Sequence, residues 1–496
     1  MPEYILGIDC GNTAIKAAIF DLHGHEIGMA STRVETLFSK PGYSESNLNE
    51  LWQSCTQVIR DALFKANLKG SDIKGIGCSG HGNGLYLFDE NNASTIAIKS
   101  LDSRADDLSG DIKHWVNYDQ IHALNHQGVW PSQTATLLKW VKINVPDVYY
   151  RSTTLLFCKD YINFKLSDTL ATDFGDLSAS GLFDFKSHNV SQQLLKFLDI
   201  SEAADMIPPV FRSEQIIGTV QSDAAGETGL LEGTPVVAGM FDVVASAVGT
   251  GVFENGKASM IAGTWSINQV ISDDLPTPDI FMSSVFPGDR YLAIESSATS
   301  ASNLEWFVSE FFQAEKYAAP VLDRKVFDYC NELVQQVQLN ENLPIYHPYL
   351  YGSKDNAHLG ANFFGVSGWH TRADLLYAVY EGIVFGHQEH VDKLARFGIT
   401  FDHVVLGGGG SRSNVWCQLF ADILNITVNV TPCAETGARG VAMAAATGVG
   451  LFASFDDAVS SMRGDYQSFY PNKDVQLVLR NRQKKYQKIA LFLSEW

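Results

Sequence analysis

A chain of 496 residues is too long for one hydrophobic core and implies two domains of about 250 residues each. With 45% hydrophobic and 19% charged residues it is ordinary globular material rather than a disordered or fibrous chain. A net charge of −20 excludes a surface made for nucleic acid or anionic membrane, so an anionic ligand needs a local pocket of backbone dipoles, Lys, Arg or metal.

The seven cysteines, at 10, 55, 78, 158, 330, 417 and 433, show no C-x-x-C spacing. Neither a zinc site nor a disulfide framework is indicated, and a reduced cytoplasm fits. No apolar run approaches the ~18 residues of a membrane span. The N-terminus carries Glu3 and Asp9 and enters an expected strand at once, so no signal peptide is expected.

Strand and helix signals alternate along the chain, which argues an α/β fold. Residues 4–8 read as a short apolar strand ending at Asp9. A polar turn, Cys10-Gly11-Asn12-Thr13, leads into a second strand over residues 15–20, which carries Lys16. A carboxylate, a glycine and hydroxyl or amide donors at such a turn suit a metal-bound phosphate. A hairpin with a polar turn accounts for these residues equally well. Asn47 with Glu50 three residues on reads as a helix start. Leu48, Leu51, Trp52, Cys55, Val58, Ile59 and Ala62 then trace one helical face. A strand over 73–78 ends in a glycine-rich loop, 79–84, and a further strand follows at 85–88.

Residues 235–238 read as a buried strand ending at Gly239, which puts Asp242 near the start of an Ala-rich helix. That segment alone favours a helix-capping carboxylate over a general base for phosphoryl transfer. The domain boundary falls near residue 250, and Asn255-Gly256 between apolar runs predicts a hairpin. Gly263 and Thr264 form a second small polar turn between strands, a phosphate cradle or a plain β-turn. The second half thus echoes the opening of the first. Thr371 and Asp374 cap a long amphipathic helix. A buried strand at 404–406 runs into four glycines, Gly407 to Gly410, and Ser413 caps the helix that follows. Strand, glycine run and helix is the layout of a nucleotide site, although neither G-x-G-x-x-G nor a Walker sequence is present. The small residues of 436–446 predict a helix packed closely on a sheet or another helix.

Taken in order, these segments resemble the FGGY family of carbohydrate kinases over nearly the whole chain. The matching stretches are residues 6–13, 76–82, 101–104, 239–242 and 407–414, with Tyr380-Glu381-Gly382 in the long helix. The resemblance implies two ribonuclease H-like, actin-like ATPase domains, 1–248 and 249–496, with a cleft between them. It implies ATP and Mg²⁺ as cofactors. Asp242 is then the base toward the sugar hydroxyl, and Asp9 faces the metal. Gly11, Thr13, Lys16, Gly263, Thr264, Glu305, Gly409, Gly410 and Asn414 are placed on ATP and its phosphates. His81, Gly82, Asn83, Asp102 and Arg104 join Asp242 on the sugar side. Trp130 is a pocket wall or a core aromatic, and Asp160 a further sugar-side candidate.

Residues 80–85, 241–244, 263–265 and 302–307 are similar to those of L-xylulose kinases, so a ketopentose such as L-xylulose is the expected acceptor. Other pentuloses or a polyol (ribulose, D-xylulose, glycerol) are the alternatives. Two departures weigh against D-xylulose. The 81–84 loop reads His-Gly-Asn-Gly where many members carry Met-His-Gly, and Leu137 stands where a Lys is usual. A non-catalytic sugar or nucleotide sensor on the same scaffold would lack one of the two carboxylates, and both Asp9 and Asp242 are here. The expected partners are the sugar and ATP, with neither nucleic acid nor membrane, and a homodimer as in many family members.

Overall fold

A computed structural model of the chain describes residues 3–352 and 359–494. Two compact units emerge, both discontinuous in sequence. The first holds Met1–Asn255, Ile271–Ala293 and Glu435–Gly464, and the second Gly256–Val270, Ile294–Ala434 and Asp465–Trp496. Both are α/β, as the alternating signals implied.

In the first unit, β1 (Tyr4–Cys10), β2 (Ala14–Phe20) and β3 (Glu26–Arg33) form an antiparallel meander. Helix α1 (Leu48–Ala66) crosses back, and β4 (Ile73–Gly80) pairs with β1 in parallel. Beyond a separate three-stranded sheet and four helices, the elements that matter to this sheet are helix α2 (Cys158–Ser167), β5 (Ile216–Thr219), β6 (Pro235–Val237), β7 (Met240–Phe241) and helix α3 (Asp242–Gly249). The sheet order is β5-β6-β4-β1-β2-β3, with β7 also paired to β4. Asn47 starts α1 as the sequence implied, its side chain accepting the backbone N–H groups of Asn49 and Glu50. Every residue of the expected apolar face is buried against β2 and β3. That burial, not helix propensity, holds a helix of this length in place.

The other face of β1 and β4 is covered from far along the chain, by the helix Thr436–Gly448. The packing is backbone to backbone. A Cβ on Gly7 would lie 1.9 Å from the Ala438 carbonyl oxygen, and one on Gly77 2.2 Å from that of Val441. The same helix lies as tightly on α3, where a Cβ on Gly440 would sit 1.9 Å from the Ala245 oxygen. The small residues of 436–446 therefore serve both of the packings open to them.

In the second unit, β8 (Ala258–Ala262) and β9 (Ser266–Ser272) form a hairpin. Helix α4 (Ala301–Phe311), the long helix α5 (Arg372–Arg396), β10 (His403–Gly407), helix α6 (Asn414–Leu424), β11 (Thr427–Val430) and β12 (Gln467–Phe469) follow. These five strands are neighbours in the order β9-β8-β10-β11-β12 within a seven-stranded sheet, with β8, β10 and β11 parallel. Thr371 and Asp374 close the expected capping box, and Ser413 caps α6 through the Trp416 N–H.

The hairpin expected around Asn255-Gly256 does not form. Gly256 turns the chain at φ +73, but Val252 and Phe253 join no strand. Phe253 is instead buried against Phe286 and Phe455 in an aromatic cluster, and β8 finds its antiparallel partner across residues 263–265. Among the described residues no helix is long and apolar enough to cross a membrane.

Candidate active site

In each unit several of the expected site residues lie at the carboxyl ends of parallel strands, where α/β sheets bind ligands. In the first unit these ends belong to β1 and β4. Asp9 pairs across the sheet with Lys16 on β2 and with Ser79 on β4. Ser79 Oγ donates to Asp9 Oδ1 at 2.7 Å. Lys16 forms an ion pair of 2.6 Å with Glu435, just before the 436–448 helix. Gly437 presses on the same carboxylate, since a Cβ there would lie 2.8 Å from Asp9 Oδ2. Burial raises the Asp9 carboxyl, while Lys16 and the Ser79 hydroxyl pull it down, and burial prevails. Gly11 and Thr13 stay on the turn itself, with Thr13 exposed.

Asp242 reaches the same place by another route. Gly239 turns the chain at φ +79 while lying so close to β4 that a Cβ would meet the Cys78 oxygen at 2.0 Å, so only glycine fits. Met240 and Phe241 then pair with Ser79 and Gly80. Ser79 is therefore the neighbour of Asp9 on one side and of Met240 on the other, and Asp242 follows as the first residue of α3. It is not the capping residue, a position held by Phe241 with no side-chain bond. The capping explanation, favoured on the segment alone, gives way. Burial and then the Asp9 charge push the Asp242 carboxyl up to about 7, against the opposing effects of His81 and the Val243 N–H. A carboxyl held there is matched to proton abstraction near neutral pH.

The sugar-side candidates divide. His81 is buried, its backbone N–H donating to the Cys10 oxygen and its Nε2 3.2 Å from the Tyr86 hydroxyl. Gly82 makes room for the Phe241 ring. Asn83 Oδ1 accepts the Thr134 N–H. Asp102 and Arg104 are bound to one another, with Nε–Oδ1 and Nη2–Oδ2 distances both 2.9 Å. The guanidinium also meets Glu45 and lies over the Tyr43 ring. Asp160 is buried in an ion cluster with Lys159, which also meets Asp173 at 2.8 Å and Asp176 at 3.1 Å. Trp130 packs on Phe281.

For four contributors the sequence carries no local sign of contact with Asp9, Lys16 or the turn between them. Ser79 and Glu435 hold Asp9 and Lys16 from distant segments, and Gly437 supplies clearance. Lys99 is the fourth. It is buried, among the described residues it has no carboxylate partner, and its ammonium donates to the backbone carbonyl oxygens of Asn12 and Glu35 and to the Thr36 hydroxyl. It thereby fixes the turn after Asp9, and burial lowers its pKa. Cys10 and Cys158 also meet as free thiols, 3.2 Å apart.

In the second unit, β8 and β10 end side by side, Ile261 opposite Gly407. The turn of Gly263 and Thr264 and the glycines at 408–410 therefore share one edge. The turn is pinned by α4, whose Ala301 N–H donates to the Gly263 oxygen at 2.8 Å and whose Ser302 hydroxyl donates to the Thr264 oxygen at 3.0 Å. Thr264 and Gly409 are exposed, and Gly410 is buried against Ala262 and Trp416. Glu305 on α4 and Asn414 at the start of α6 are exposed. Backbone groups at such strand ends and helix starts suit an anionic nucleotide.

Among the described residues no group of three or more His, Cys, Asp or Glu side chains could hold a metal ion alone. A single carboxylate such as Asp9 fits Mg²⁺, which keeps several waters and takes other ligands from substrate phosphates.

Residues 4–249 match the N-terminal domain, and residues 258–449 the C-terminal domain, of the FGGY family of carbohydrate kinases. The chain is 30% identical to the L-xylulose/3-keto-L-gulonate kinase of Escherichia coli over 502 residues, covering 100% of this chain and 98% of that one. It is 28% identical to the autoinducer-2 kinase of an Enterobacter strain over 504 residues, covering 98% and 94%. The ligand-bound xylulose kinase structure from Lactobacillus acidophilus matches with a TM-score of 0.88 over 99% of this chain and 98% of that one, at 21% identity. That likeness is one of fold, the two-domain, actin-like ATPase fold.

Proposed function

Because the chain belongs to the FGGY family of carbohydrate kinases, and so transfers phosphoryl groups to sugar hydroxyls, we propose that its acceptor is a ketopentose, L-xylulose before others, and its donor ATP with Mg²⁺. The observation that carries the mechanism is the nearness of the two carboxylates: Asp9 binds Ser79 on β4, Asp242 follows the β7 pair on the other side of β4, and the Asp9 charge acts with burial to push the Asp242 carboxyl up to about 7. In this reading Asp242 takes the proton of the attacking hydroxyl. Asp9 faces the metal, which would neutralise phosphate charge. Gly11, Thr13 and Lys16 meet the phosphates, with Glu435 sharing Lys16 until they arrive. Gly263, Thr264, Glu305, Gly409, Gly410 and Asn414 hold the nucleotide. His81, Gly82 and Asn83 face the sugar, and the Asp102–Arg104 pair shapes its surroundings. Phosphoryl transfer needs alignment and charge neutralisation more than covalent help, and residues of these kinds supply both.

L-Xylulose is favoured by full-length identity to the Escherichia coli enzyme and by the His-Gly-Asn-Gly loop. The division at 248/249, supported by the two family matches, a homodimer and a cytoplasmic location belong to the same proposal. The test is ADP release, by coupled assay, across L-xylulose, D-xylulose, ribulose, a hexulose, glycerol and a blank. The expected outcome is the highest kcat/KM with L-xylulose. A polyol as the best acceptor would overturn the ketopentose assignment. No acceptor-dependent ADP from any pentulose, hexulose or polyol would overturn the kinase mechanism.

A further inference from the structure

Behind the Gly263–Thr264 turn lies a buried chain of polar side chains that phosphoryl transfer itself does not use. Two histidines one turn apart on α5, His387 and His390, are joined by Asn268 on β9. Asn268 Oδ1 lies 2.8 Å from His387 Nδ1, and its Nδ2 2.7 Å from His390 Nδ1. The far nitrogens continue the chain. His387 Nε2 is 3.3 Å from the Ser300 hydroxyl, and His390 Nε2 is 3.1 Å from that of Ser297. Ser297 in turn is 2.7 Å from Thr299 Oγ1. All six side chains are buried.

The amide orientation fixes both rings at once. Facing Asn268 Oδ1, His387 Nδ1 must carry its proton and donate, so its Nε2 accepts from Ser300. Facing the Asn268 NH₂, His390 Nδ1 must be bare and accept, so its Nε2–H donates to Ser297. Each nitrogen then has a complementary partner and both rings are neutral. Burial, with His390 adding to it, keeps His387 well below the usual histidine range.

The network grips the turn from both ends. Ser266, which also touches His390 Nδ1, and Asn268 are the first and third residues of the strand leaving it. Ser300 immediately precedes Ala301 and Ser302, which bind the Gly263 and Thr264 carbonyl oxygens. Ser300 stands at the N-cap of α4 but spends its hydroxyl on His387 and makes no capping bond. An arrangement serving helix stability alone would use that hydroxyl as a cap.

We infer that Asn268, His387 and His390 are positioning residues that hold the Gly263–Thr264 turn in the geometry that receives the nucleotide phosphates. The inference rests on the reading of that turn as a phosphate site. It requires the imidazoles to act through the turn, without touching the ligand.

The test is MgADP affinity by titration calorimetry, alongside KM for ATP and for the sugar, in Asn268→Leu, His387→Phe, His387→Asn and His390→Phe. An asparagine at 387 keeps an amide where Nδ1 stood, and a phenylalanine keeps only the ring. Asn268→Leu and His387→Phe are expected to weaken MgADP binding and raise KM for ATP by roughly tenfold, about one lost buried hydrogen bond. KM for the sugar should stay unchanged, and His387→Asn should recover most of the loss. Folded Asn268→Leu or His387→Phe protein with wild-type MgADP affinity would overturn the inference, as would equal loss of sugar and nucleotide affinity. Should both fail to fold, His390→Phe, which keeps a ring and loses both nitrogens, decides by the same split. Wild-type protein that binds no MgADP would instead overturn the nucleotide reading of the turn.

Discussion

A carboxyl that titrates near neutrality serves as a base only after it has lost its proton. With Asp242 pushed up to about 7, the working form is scarce in acid and dominant above that pH. The acidic limb of kcat/KM should therefore fall about tenfold per pH unit below about 7, and flatten above it. Asp242→Asn should lose roughly 10²–10⁴-fold in turnover and lose this limb, with MgADP affinity retained. A full pH profile of both proteins checks the assignment, and a limb that survives in the variant would remove Asp242 from the role. At this scale the sequence showed the residue but misjudged its setting. Asp242 read as a cap because carboxylates favour helix starts. What raises its carboxyl is burial and then the charge of Asp9, 233 positions away in the chain, and no local pattern records either. Lys99 and Glu435 were invisible for the same reason, since their partners are backbone oxygens or side chains from remote segments.

Elements with one buried face were the most legible. The seven apolar positions of α1 follow a 3.6-residue period because a single stripe meets the sheet, and the Asn47 cap marks its start. The Thr371 box marked α5 in the same way. The Asn255-Gly256 hairpin misled because a turn dipeptide reports chain reversal, not pairing, and Phe253 had aromatic partners elsewhere. The helix Thr436–Gly448 was legible as small-sided, and its seat was not. That seat makes a sharp prediction. Gly440→Ala places a methyl 1.9 Å from the Ala245 carbonyl oxygen, a rigid neighbour, and should cost about 3 kcal/mol or more in denaturant unfolding. Gly226→Ala, on the helix Ser222–Thr228 with nothing within 4 Å, should instead be neutral or stabilising by about 0.5–1 kcal/mol. Equal effects at the two sites would contradict backbone-to-backbone packing.

For the molecule as a whole, connectivity matters more than composition. The α/β class and the order of the motifs could be read along the chain, because alternating elements and small polar turns are local. Membership of each segment in a unit could not, because it depends on contacts between residues hundreds of positions apart. A fragment of residues 1–255 lacks the helix that covers Gly7 and Gly77 and lines Asp9. It should show no cooperative thermal transition by circular dichroism, whereas the intact chain should. A sharp transition in the fragment would mean that the 436–448 helix is dispensable to the sheet.

Birth on the ribosome gives that late helix a further meaning. About 180 residues separate Asn255 from Glu435, so at roughly 5–20 residues per second the nascent sheet waits roughly 9–36 s for its lid. Throughout that interval its glycine-lined surface stands uncovered. Emergence of this helix, rather than of residues 1–255, then becomes the moment at which the surroundings of Asp9 can first be complete.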